Sequence, residues 1–227
     1  GVGAICCAAH LVPALPTATT NRVSSALYGN ANMALISYGY IRMMGEEGLR
    51  EATAAAIVSA NYMAQKLKDA YGIVYTGVNG RVGHELILDC RQFHSIGITE
   101  SDIAKRLMDF GYHAPTLSFP VHGTLMVEPT ESESLRELDQ FIDALLIIRE
   151  EIAQVERGEV DKKDNVLVNA PHPEYAITAD EWDRPYSRQK AAYPAEWVKN
   201  NKFWIPVARV DNGWGDRNLV ARDNKPL

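Results

Sequence analysis

Six histidines carry most of the sequence's capacity for proton transfer or metal ligation: His10, His84, His94, His113, His122 and His172. Their linear spacing forms no metal-binding pattern. There is no His-Glu-x-x-His, and the six complete no zinc-site pattern with Cys6, Cys7 or Cys90. His113 and His122 stand apart from the rest because they flank Ala114–Val121, a stretch bearing Pro, Thr and Ser that joins an expected helix to an expected strand. Loops held at both ends by rigid elements are where binding groups gather. Glu128 and Glu131 bracket Pro129 and Thr130 at the start of another expected helix. Their plain role there is to complement the helix dipole, worth roughly 0.3–1 kcal/mol each when exposed. The segment 24–32, SSALYGNAN, has the small residues and hydroxyls expected where backbone approaches a phosphate ahead of a helix N-terminus. Gly1–Cys7 lacks the full dinucleotide fingerprint, and no Gly-x-Ser-x-Gly elbow occurs.

The elements that must position these residues follow from periodicity and punctuation. Met33–Met44 is apolar nearly all round, which predicts a buried helix closed by Gly45. Glu46–Ala70 reads as a long alanine-rich helix, with Leu49, Ala52, Ala56, Ala60, Met63 and Leu67 on one face and Gly72 beyond its end. Ile73–Tyr75 and His84–Cys90 are expected strands. Thr99 to Asp102 predicts an N-cap with acids in the first turn of a helix that ends at Gly111. Gly123–Val127 is a further strand. Thr130 and Glu133 have capping-box spacing for a last long helix, with Leu135, Leu138, Ile142, Leu145, Arg149 and Ile152 along one side and Gly158 at its end. The order strand–strand–helix–strand–helix predicts an α/β layer, a small sheet with helices on one face. From Asp161 onward the chain is polar and proline-punctuated and holds all four tryptophans. Such large aromatic area predicts an extension that wraps over something. The expected organisation is therefore 1–45, 46–160 and 161–227.

Composition narrows the class of function. With 46% hydrophobic and 23% charged residues, the chain is ordinary for a globular protein, and its formal charge of −6 lacks the basic excess of a nucleic-acid binder. No apolar run approaches membrane-spanning length. Three cysteines form no disulfide framework, which points to a cytoplasmic protein, and Cys6 and Cys7 are expected as small core residues. The apolar opening GVGAICCAAHLVPALP has no helix start signal. It reads as the middle of a longer protein and predicts exposed apolar surface and self-association.

A series of words along the whole chain resembles the C-terminal region of the pyridoxal-phosphate-dependent glycine decarboxylases, the P-protein family of the glycine cleavage system. LVPALP at Leu11–Pro16 begins it, and VSSALYGNANMALISYGYIRMMGEEGL from Val23 to Leu49 continues it. Then come ANYMAQKL, GRVGHELILDCR, AKRLMDFGYHAPTLSFPVHGTLMVEPTESE, WDRPYSR at Trp182–Arg188 and NKFWIPVARVDN, in the family's order. The resemblance implies the aspartate-aminotransferase-like fold of these enzymes. This chain would hold the end of the large domain, the small domain and a C-terminal extension. It also implies a glycine decarboxylation in which the cofactor is the electron sink and the aminomethyl group passes to the lipoyl arm of the carrier H-protein. The Schiff-base lysine is expected upstream of Leu11, so the piece alone is expected to be inactive. Ser25, Tyr28, Gly29 and Asn30 are implied near the cofactor phosphate, with Asn30 and Leu27 standing where the family has serine and proline. His113, Thr116 and His122 are implied on the substrate side. Implied partners are the carrier protein, the N-terminal remainder of the enzyme and a second copy of the chain. The rival reading is an interaction module that docks the carrier or the other half of the enzyme.

Overall fold

A computed structural model describes residues 3, 5–17 and 29–219. The chain divides into two compact units, residues 1–54 and 55–227. Among the described residues no helix is long and apolar enough to cross a membrane.

In the first unit a 3-10 helix, Ala9–Ala14, precedes the start of α1, Ala31–Leu67. Asn30 sets that start: its Oδ1 accepts the Asn32 N–H at 3.1 Å, and its carbonyl accepts the Met33 N–H. Gly45 interrupts α1 with φ 63°, as its expected stop requires. The expected burial of Met33–Met44 is corrected. Leu35, Ile36 and Met43 are 66%, 68% and 87% exposed, because nothing among the described residues covers that apolar surface. Cys6 and Cys7 are likewise exposed, not core residues.

The second unit is built on a four-stranded sheet. Its strands are β1 (Ile73–Val74), β2 (Leu86–Asp89), β3 (Thr116–Leu117) and β4 (Thr124–Val127), in the order β1-β2-β4-β3 with every pairing antiparallel. Leu86 and Leu88 of β2 point into the core while Ile87 and Asp89 are half-exposed, the alternation of a sheet with one covered face. The helices are α2 (Glu100–Asp109) and α3 (Leu135–Glu156), followed by the short α4 (Glu174–Ile177), α5 (Arg188–Ala192) and α6 (Asn212–Arg217). Thr99 closes a complete capping box with Asp102 at the head of α2. At α3 the expected box is displaced. Thr130 Oγ1 bonds the Ser132 hydroxyl and N–H instead, and Ser134 caps the helix by accepting the Glu137 N–H. The helix therefore starts one turn later than Thr130 and Glu133 suggest. Its inward face is Leu138, Ile142, Leu145 and Ile152, as their spacing predicts, whereas Leu135 is exposed.

Residues 161–219 belong to this same unit and complete its core. Val166, Leu167, Ala195 and Val198 lie in one apolar cluster with Leu67, Leu88, Ile103, Leu107 and Leu145. Trp197 stacks near Phe110 and Tyr112 and donates its indole N–H to Asp143, while Trp182 donates to the Tyr186 carbonyl. Trp214 remains exposed.

Beneath this extension lies a buried ionic network. Arg106 is fully buried, and all five of its N–H donors are used: two on Glu151, one on Asp109, and two on the carbonyls of Lys190 and Ala191. Asp109 also accepts from the His172 backbone and ring, and the second ring nitrogen of His172 meets the Tyr186 hydroxyl at 2.9 Å. Burial alone would raise the Asp109 carboxyl. The His172 bonds and the Arg106 charge outweigh it and hold that carboxyl below its usual range.

Candidate functional site

The end of α2 builds the first wall of a groove. Gly111 has φ 92°, the Tyr112 N–H reaches back to the Leu107 carbonyl, and the Gly111 N–H reaches the Met108 carbonyl. This is a Schellman closure, and it turns the chain sharply off the helix axis. Tyr112 is then seated edge-on against Phe141 at 4.9 Å between ring centres. His113, Ala114, Pro115 and Thr116 follow along the groove's edge. Met126–Pro129 leaves β4 beside them, and Glu133, Glu137, Leu138 and Phe141 form the opposite wall. The space between measures about 560 Å3. Met63 and Phe141 give it apolar surface, and Glu128, Glu133 and Glu137 give it negative charge with no Lys or Arg in the lining.

That charge balance limits what the groove can hold. Burial, followed by the neighbouring charges of Glu137, Glu133 and Asp143, drives the Tyr112 phenol well above its usual range, so it stays a neutral hydroxyl. A carboxylate ligand would meet three carboxylates, leaving His113, the Thr116 hydroxyl and backbone N–H groups to receive it. His113 is exposed and makes no hydrogen bond among the described residues.

His122 does not join this site. The register Thr116↔Met126 and Leu117↔Leu125 puts His113 and Thr116 at the open end of the β3–β4 hairpin and His122 in the turn at its other end. Around that turn stands a cluster with no linear signature. The Ser118 hydroxyl donates to Glu100 at 2.6 Å and accepts the Gly123 N–H, while His94 Nε2 lies 2.9 Å from the other Glu100 oxygen. Burial pushes the Glu100 carboxyl up, but the Ser118 and His94 bonds and a backbone N–H outweigh it and lower the group overall. Glu100 accordingly ties the hairpin turn to α2 as a carboxylate.

Of the residues expected at a cofactor phosphate, Ser25 and Tyr28 lie outside the described residues. Gly29 has φ 75° and is exposed, and Asn30 spends its side-chain oxygen on the start of α1. They belong to the first unit and the groove to the second.

The matching sequence profile is that of the "Glycine dehydrogenase, C-terminal domain", over residues 52–172, more than half of the chain and including every residue that lines the groove. The chain belongs to this family. It is similar to the glycine dehydrogenase (decarboxylating) of Bacteroides thetaiotaomicron, 63% identical over 226 residues that cover 97% of this chain and 24% of that protein. The corresponding protein of Bacteroides fragilis is 62% identical and that of Flavobacterium johnsoniae 58%, each with the same 24% coverage. The chain thus spans about a quarter of the length of these glycine dehydrogenases.

Within this glycine dehydrogenase domain, the groove brings His113 and Thr116 beside Glu128, all three singled out from the sequence, whereas Glu133 and Glu137 were not read as its carboxylate neighbours. Glu133 and Glu137 lie one turn apart, on either side of the α3 N-cap, a signal readable once the cap is placed at Ser134. Glu128 meets a different pair. Strand pairing carries His84 and Glu85 to it from more than forty positions away, and their ligand atoms gather within 4.8 Å.

Proposed function

We propose that this chain is the C-terminal part of a pyridoxal-phosphate-dependent glycine decarboxylase, which transfers the aminomethyl group of glycine to the lipoyl arm of a carrier protein. The observation that carries this reading is the near-complete match of this chain to a quarter of a glycine dehydrogenase (decarboxylating), 97% of this chain on 24% of that protein, through the family's C-terminal domain. The cofactor supplies an electron sink when bound. No lysine lines the groove, in keeping with a Schiff-base lysine carried elsewhere in the parent. Within the parent protein, His113 and Thr116 would meet the substrate side of the site. The parent's cytoplasmic location and its assembly with a second copy belong to the same reading.

The test is reaction of the purified chain with pyridoxal phosphate, borohydride trapping and mass mapping, alongside a glycine–bicarbonate exchange assay. The expected result is no exchange and no stoichiometric label. Any trace labelling should fall on Lys202, whose amine burial brings down to about 8. Stoichiometric trapping at one lysine, or measurable exchange, would overturn the reading of an inactive part.

A second reading has its own support. The exposed Leu35, Ile36, Tyr38, Ile41 and Met43 on α1 form the kind of apolar surface a protein partner covers. In the parent that partner would be the N-terminal remainder of the enzyme. Binding of a lipoylated carrier by this chain alone would favour an interaction module instead.

A further inference from the structure

We propose a divalent transition-metal site, of the kind zinc fills, formed by His84, Glu85 and Glu128 at the rim of the groove. One imidazole nitrogen and one oxygen from each carboxylate lie within 4.8 Å of one another. His84 Nε2 is already 3.7 Å from Glu85 Oε1. Bonds of about 2.1 Å in tetrahedral geometry put neighbouring ligand atoms about 3.4 Å apart, so a small rotation of these side chains closes the set.

The sheet supplies an independent argument. Leu86 pairs with Val127 in antiparallel register, and continuing that register by one residue sets Glu85 directly opposite Glu128. Like charges placed opposite one another destabilise a strand pair. Among the described residues neither carboxylate has a Lys or Arg partner, and the Glu85 ion pair is with His84 itself. A cation seated between them converts that repulsion into ligation. The imidazole favours zinc or a similar borderline ion over magnesium, which takes oxygen ligands and keeps its waters. Three protein ligands leave a fourth position open, and Glu128 also lines the groove, so that position lies at its edge. The site stands on these residues alone and does not depend on the decarboxylase reading.

Calorimetric titration with zinc chloride tests it, in a Cys6→Ser, Cys7→Ser background because exposed thiols are competing zinc ligands. The expected result is one equivalent bound, with affinity lowered about tenfold or more by Glu128→Gln and by Glu85→Gln separately. Magnesium should bind far more weakly. Without metal, Glu128→Gln should leave the urea midpoint unchanged or raise it, as expected when a like-charge contact is removed, and zinc should raise the midpoint of the background chain but not of the variant. Absence of binding, binding that vanishes with the cysteines, binding that neither Gln variant weakens, or equal affinity for magnesium would each overturn the site.

Discussion

Arg106 shows how much of this molecule rests on single buried residues. A guanidinium taken wholly out of water is tolerated only when its charge is balanced and every donor is used. Here two carboxylates and two backbone carbonyls do both. Breaking such a set from one side is costly because the partners remain buried. Arg106→Met should therefore destabilise the chain by about 3–5 kcal/mol. Urea denaturation checks this, and a loss below about 1 kcal/mol would mean water reaches the network. Little of this was legible beforehand. Arg106 and Asp109 are three apart on a readable helix, but Glu151 and the carbonyls of Lys190 and Ala191 come from segments whose meeting only tertiary packing decides. His172 looked like any surface or structural histidine in the sequence, and its place against Asp109 and Tyr186 is set by the extension.

At the scale of elements, local chemistry was readable wherever caps and periodicity agreed. Thr99 with Asp102, Gly45 as a stop and the inward face of α3 all behave as their residue types require. The misreading at Thr130 has a physical cause, because two capping-box spacings lie within one turn and only Ser134 has the helix following it directly. β3 was not readable, since two residues in the Thr116–Leu117 stretch carry no period, and the strand exists through pairing with β4. The Schellman turn at Gly111 is the element feature on which the groove most depends. A Cβ there would meet only Phe203 at 3.8 Å, an ordinary contact, so the cost of Gly111→Ala is backbone strain at φ 92° without a clash. That strain is roughly 1–2 kcal/mol. Gly158→Ala at φ 72°, in open space after α3, is the matching control and should cost about the same. Gly111→Ala alone should also disturb Tyr112 and its ring contact with Phe141, read from amide and aromatic chemical shifts. Equal, purely local shifts in both variants would mean the groove wall is held by something other than this turn.

At the scale of the whole molecule, the extension expected as a wrapping tail turns out to be part of the fold it wraps. Val166, Leu167, Ala195 and Val198 fill the same cluster as the sheet and its helices, so removing them exposes apolar surface from both sides. The polar consequences are larger. The extension supplies two of the carbonyls that satisfy Arg106 and the His172 ring that meets Asp109. It also supplies Arg209, which reaches Asp102 at 2.7 Å and the carbonyls of Leu167 and Ala170. A chain ending at Val160 would leave Arg106 without its two carbonyls, Asp109 without His172 and Asp102 without Arg209, and each buried polar group left short of a partner costs about 1–3 kcal/mol on top of the lost apolar burial. A domain's net stability is only about 5–15 kcal/mol, so the sum of these losses removes it. The expected outcome is that residues 1–160 show no cooperative urea transition and bind a hydrophobic dye, whereas the full chain unfolds in one step through its second unit. Adding a peptide of residues 161–219 to the truncated chain should restore part of the transition, because the missing carbonyls and His172 would return with it. A truncated chain that unfolds at the full-length midpoint would instead make the strand-and-helix layer self-sufficient and the buried network dispensable.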